Sequence, residues 1–105
     1  MDIDQESLEL HKKLKGKIMI VPKIKIKNTH DLSLIYTPGV ASVSQYLANN
    51  KDQLAQYTIK NNTVAVISDG SAVLGLGNIG PEGALPVMEG KCLILKDFAN
   101  INAFP

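Results

Sequence analysis

A chain of 105 residues, 45% hydrophobic and 20% charged, has the composition of one ordinary globular domain and not of a disordered segment. Its formal net charge of +1 gives no electrostatic basis for binding nucleic acid or a membrane surface. All 11 basic residues are lysines, so no planar guanidinium fork is available to grip a carboxylate or phosphate; a dicarboxylate clamp has to be lysine, backbone or something outside the segment.

The opening residues, MDIDQESLELHKKLK, carry acids first and no apolar run like that of a signal peptide. No stretch approaches the roughly 18 apolar residues that a membrane helix needs, and a cytoplasmic protein is the expectation. Residues 3 to 15 set Ile3, Leu10 and Leu14 on one helical stripe with lysines late, which suits the helix dipole, and Gly16 ends the helix. KIMIVPKIKIK then alternates apolar residues with lysine, the pattern of an extended strand with one wet face whose lysines guard an edge. Asn28 to Asp31 are turn formers, and Asp31 or Ser33 is placed to cap a short turn before LIYTPGV. Helices are expected from Ala41 to about Leu47 and from Lys51 to about Tyr57, with Asn49 and Asn50 between them.

TVAVISD is a short continuous apolar run bounded by Asn61-Asn62 and Asp69-Gly70, as in a buried parallel strand at about 63–69, and the centre of a small sheet is placed there. After the glycine-rich SAVLGLGNIGPEG, Leu85, Met88, Cys92, Leu95 and Ala99 follow at spacings of three and four. Val87, Ile94 and Phe98 extend the apolar surface, so a buried helix is expected, with Pro81 in its first turn. Asn102 to Pro105 is placed to begin another strand. The fold class is therefore α/β, a small sheet flanked by helices with an N-terminal Lys-rich strand.

Three features invite a chemical reading. Gly75, Gly77 and Gly80 spell G-x-G-x-x-G between a strand and a helix, the context of a dinucleotide fingerprint, with Asp97 at the distance of a ribose-binding acid. The helical spacing puts Asp97 on the same helix, however, and a tight glycine turn feeding a buried helix accounts for the residues without a cofactor; the helix start remains able to hold an anion. Lys91 lies within the apolar helix, where desolvation of an ammonium would favour the neutral amine of a general base. The alternative is a lysine that carries its charge to water along an apolar stem, and Lys96, beside Asp97 near the helix end, reads as an ordinary solvated lysine. Tyr36 precedes Pro38 and Gly39, a stiff bend able to present a hydroxyl to a cleft as a proton donor, although most tyrosines are packing residues. Tyr46 and Tyr57 lack such a bend. Cys92, the single cysteine, excludes an internal disulfide and is read as core packing. His11 and His30 stand alone amid polar residues, and no spacing resembles a metal site or a Ser-His-Asp set.

DLSLIYTPGVA, VAVISDGSAVLGLGNIGPEGALPVMEGK and DFANINAFP together resemble the opening region of malic enzymes of the smaller bacterial and archaeal type. Order and spacing agree from about His11 to Pro105. The resemblance implies that the tyrosine of YTPGV, Tyr36, is the general acid and that the lysine of MEGK, Lys91, is the general base. It implies oxidative decarboxylation of (S)-malate to pyruvate and CO2, with NAD or NADP taking the hydride and Mg2+ or Mn2+ holding the substrate. Residues 1–105 are expected to form the family's N-terminal domain for substrate contacts and dimerisation. The acidic metal ligands and the Rossmann domain that bind cation and nicotinamide are expected beyond Pro105, so the segment alone is expected to be inactive. Larger eukaryotic-type members place an arginine where this chain has Ser71 or a neighbour, and that residue cannot be carried over. The loop with Gly75, Gly77, Asn78 and Gly80 is then expected to support the substrate side. The alternative is a non-catalytic dimerisation module whose contact edge is the Lys-rich stretch at residues 17–27.

Overall fold

The computed structural model describes residues 2–105, which divide into two compact units, residues 2–19 with 63–105 and Ile20–Asn62. In the first unit, α1 (Ile3–Leu14) starts at Asp2, whose side chain accepts the Gln5 N–H at 2.8 Å. It stops where Lys15 turns left-handed (φ 57°) and Gly16 follows at φ 115°.

The same unit holds β1 (Thr63–Ala65), α5 (Gly80–Ala99) and β2 (Asn102–Phe104). β1 and β2 pair in parallel with Thr63, Val64 and Ala65 opposite Asn102, Ala103 and Phe104, and the Val66 N–H extends the ladder to the Phe104 carbonyl at 2.9 Å. The α/β class with a short parallel sheet is what the apolar run and the following helix require, because parallel neighbours need a crossover. The closing strand at Asn102 is also found. Left-handed Asn100 ends α5, and the Lys96 ammonium reaches across that end to the Asn102 side chain at 2.9 Å.

Three expectations are corrected. KIMIVPKIKIK is not a strand: no element lies between α1 and Thr29, because alternation supplies a wet and a dry face but no neighbour to bond with. β1 is three residues long and not buried, with Val64 44% and Ile67 87% exposed, since only β2 lies beside it and nothing in its own sheet covers its faces. The expected burial of α5 is confined to one stripe. Ala84 and Cys92 are buried and Met88 and Leu95 half-buried, while Leu85, Ile94 and Phe98 remain exposed.

In the second unit, α2 (Thr29–Ile35) is capped by Asn28, whose carbonyl oxygen accepts the Asp31 N–H at 2.9 Å. The Asp31 carboxylate turns back to accept the Lys27 N–H at 3.0 Å. The cap is thus Asn28, ahead of the two candidates read from sequence. α3 (Val40–Asn49) and α4 (Leu54–Tyr57) match the expected helices, joined by a 3-10 turn over Lys51–Gln53. The Asn50 side chain donates to the Tyr46 carbonyl at 2.9 Å, and the Tyr46 and Tyr57 rings meet with centroids 5.3 Å apart, tying α3 to α4. Electrostatic repulsion from the Tyr57 phenol is the largest cause that pushes the Tyr46 hydroxyl above its ordinary value.

Candidate functional site

Tyr36 and Lys91 belong to different units, and each has its own local setting. Tyr36 is the C-cap of α2; its N–H donates to the Leu32 carbonyl at 2.9 Å and its carbonyl accepts the Val40 N–H at 2.7 Å. Between them run a cis Thr37–Pro38 bond and Gly39, whose N–H donates to the Ser33 carbonyl at 2.8 Å. A side chain on Gly39 would collide with the Ser33 and Leu34 carbonyls, so this bend requires glycine. The chain is thereby folded back onto the end of α2, and the Tyr36 ring is left 66% exposed. A phenol so held is available as a proton donor to whatever docks beside it.

Lys91 sits just past the middle of α5 and is exposed, in keeping with the solvated one of its two readings. The buried neighbour is Cys92, 1% exposed, on the next helical position. Burial first, and the Glu89 carboxylate second, push the Cys92 thiol up, as befits a packing residue and not a nucleophile.

The glycine loop is a self-contained turn. Gly77 and Leu76 N–H groups both donate to the Val73 carbonyl, at 2.8 and 2.9 Å, and the Val73 N–H returns to the Gly77 carbonyl at 2.8 Å. The Ile79 and Gly80 N–H groups, at the start of α5, converge on the Gly70 carbonyl at 3.0 and 3.3 Å. These amides are the ones a pyrophosphate would need, and they are already engaged. Asp97 lies on α5 itself, as its spacing indicated, so the βαβ arrangement of a dinucleotide site is not built from these residues. Gly70 lies so close to Gly80 that a side chain would overlap its backbone, whereas Gly75 and Gly77 face open space and are needed only for positive φ. Asn78 is exposed, and Leu74 and Leu76 project from the turn 101% and 66% exposed. Just before it, Asp69 accepts the Ser71 N–H at 2.9 Å, the largest cause that holds its carboxyl below the usual range.

Among the described residues no three His, Cys, Asp or Glu side chains gather as a cation would require, so these residues do not fit a metal centre of their own. No helix among them is long and apolar enough to cross a membrane.

Two groups escaped the sequence reading. Lys17 donates its N–H to the Glu89 carboxylate at 2.8 Å, and its ammonium touches the Pro86 carbonyl and lies 2.9 Å from His11 Nε2. His11, read as solitary, is therefore partnered. The available signal was α5 itself, since a helix with Pro86 and Gly90 in its interior needs outside support.

Comparison with known proteins bears on the whole segment. The family model for the malic enzyme N-terminal domain matches residues 15–105. The bifunctional malic/malolactic enzyme of Bacillus subtilis (strain 168) is 50% identical over 105 residues, all of this chain and 26% of that protein. The NAD-dependent malic enzyme of Geobacillus stearothermophilus is 56% identical over 90 residues, 86% of this chain and 19% of its own length. The crystal structure of malic enzyme from Pyrococcus horikoshii superposes with a TM-score of 0.94 at 48% identity, covering 99% of this chain and 25% of that one. The chain thus spans about a quarter or less of these relatives, one of which is named for NAD, while a malic enzyme of Halomonas elongata, 46% identical over 100 residues, is named for NADP. On the family match and these identities, the chain belongs to the malic enzyme family, to its N-terminal domain.

Proposed function

We propose that this chain is the N-terminal, substrate-side portion of an enzyme that converts (S)-malate to pyruvate and CO2 with NAD or NADP and Mg2+ or Mn2+. The observation that carries this reading is the likeness over the whole chain to proteins named malic enzymes, each about four times longer or more. On this reading nicotinamide and cation are held by residues other than these, the former accepting hydride and the latter polarising substrate oxygens. This chain's own work is proton transfer. The neutral Lys91 amine accepts the proton of the malate C2 hydroxyl as the carbonyl forms; after CO2 departs, the Tyr36 hydroxyl returns a proton to carbon three. The glycine turn supports the substrate side through Gly75, Gly77, Asn78 and Gly80. The assembly on this reading is a homodimer.

Lys91 is exposed in this segment, so substrate reaches it without any rearrangement of α5.

The reading is tested by restoring the full reading frame, or by supplying the missing portion in trans, and measuring malate- and metal-dependent nicotinamide reduction. A well-folded reconstituted protein without that activity rejects it. It would instead favour a non-catalytic pairing module, for which the uncovered Met19, Ile20 and Val21, 81%, 92% and 72% exposed, are the specific support.

A further inference from the structure

The middle of α5 is poor helix by its own chemistry. Pro86 has no N–H to give the Glu82 carbonyl, and Gly83 and Gly90 each cost roughly 1 kcal/mol relative to alanine. Lys91 comes directly after this stretch. The missing support arrives from 69 to 72 residues away in sequence, at Lys17.

The geometry there fixes the proton positions. His11 Nδ1 lies 2.8 Å from the Ser7 carbonyl, which can only accept, so Nδ1 carries the hydrogen. Nε2 then offers a lone pair, and the Lys17 ammonium 2.9 Å away donates to it. A second ammonium hydrogen goes to the Pro86 carbonyl. The Lys17 backbone N–H goes to the Glu89 carboxylate, whose other oxygen lies near Gly16. Lys17 thus touches positions 86 and 89 of α5, adjacent rungs on one face, and its ammonium lies 3.7 Å from where a Gly90 side chain would begin. That is ordinary van der Waals contact, so the ammonium packs beside position 90 as well.

We propose that Lys17 is a positioning residue for Lys91, with His11 and Glu89 as its anchors: the latch fixes the turn of α5 from which the lysine projects. The reversal at Lys15 and Gly16 serves to deliver Lys17 to that turn. This rests on Lys91 being the base, and the two ideas fail separately.

The test uses the full-length enzyme. Lys17→Met keeps the apolar stem and the backbone bond to Glu89 and removes the ammonium donors to His11 and the Pro86 carbonyl. Expected are a fall in kcat of roughly 10- to 100-fold with KM for malate nearly unchanged, since misplacing a reacting group acts on the chemical step. Faster amide hydrogen exchange across Pro86–Leu93 and partial rescue by Lys17→Arg are also expected. Wild-type kcat and exchange in Lys17→Met, or kcat and KM lost together without rescue, overturn the positioning role. If Lys17→Met does not fold, His11→Phe, which removes one anchor, is judged by the same split. Lys91→Ala is the control: retained turnover there rejects the base assignment itself, whatever Lys17 does.

Discussion

The bend that carries Tyr36 and the helix that carries Lys91 are held in opposite ways. Every contact that fixes the Tyr36 backbone comes from Leu32, Ser33, Gly39 and Val40, all within five residues. Lys91 stands on a helix weakened by Pro86 and two glycines and tied from outside by Lys17, more than 70 residues earlier. The tyrosine's orientation is therefore a local property of YTPGV, and the lysine's is a tertiary one. A change near Tyr36 should act through the short bend alone, while α5 should respond to changes at the far end of the chain.

The largest expected effect is at the two groups themselves. In the full-length enzyme, Lys91→Ala and Tyr36→Phe should each lower turnover by roughly 100- to 10,000-fold, with circular dichroism and melting unchanged. The second substitution removes only an oxygen, so a modest loss there would place the acid elsewhere. Next comes Gly39→Ala, which sets a methyl against the Ser33 and Leu34 carbonyls. The expected cost is about 1–3 kcal/mol, read from the denaturant midpoint, with catalytic loss traced to the bend. An unchanged midpoint would show that α2 yields and that the bend is not locked.

A matched pair within the glycine turn separates crowding from conformation. Gly70→Ala brings both a positive φ of 72° and overlap with the Gly80 backbone, whereas Gly77→Ala brings a φ of 75° into open space. Gly77→Ala should cost about 1–2 kcal/mol, and Gly70→Ala clearly more. Equal costs would mean that the junction between Gly70 and the start of α5 is slack.

What could be read from the residues follows the same division. α1, α3 and the span of α5 were legible because helical spacing, caps and dipole-matched charge are local, and so was the tie between Asp97 and α5. The bend after Tyr36 was legible from Pro38 and Gly39. KIMIVPKIKIK was misread because a strand is defined by a partner, and alternation of isoleucine and lysine carries no information about one. The burial expected of TVAVISD and of most of α5 fails for a related reason. Apolar runs record whatever eventually covers them, and within this chain Val64 and Ile94 are about half exposed. The family resemblance supplied roles that no spacing contained. The Lys17 latch was invisible because His11, Lys17 and Glu89 lie far apart in sequence, with only the awkward composition of α5 to hint that something must hold it.

The smallest effect concerns Asp69, at the turn leading into the glycine loop. Hydrogen bonds from Ser71, backbone N–H first and hydroxyl second, favour the carboxylate and hold the group below its ordinary value of 3.8. A folded value lower than the unfolded one means that the contribution is fully present above the ordinary value and is lost as pH falls through the depressed one. The turn should therefore stay closed at pH 4 and open only in stronger acid. The Ser71 amide resonance, followed by NMR from pH 6 downward, should move with a midpoint below 3.8. Asp69→Asn keeps an accepting oxygen and should leave that resonance nearly flat with pH, whereas Asp69→Ala should place it at an open-turn position throughout. A midpoint at or above the ordinary value would mean that Ser71 does not favour the charged form. The approach to the loop would then be held by the Gly70 N–H to the Ser68 hydroxyl and by the Gly70 carbonyl, through its bonds to Ile79 and Gly80.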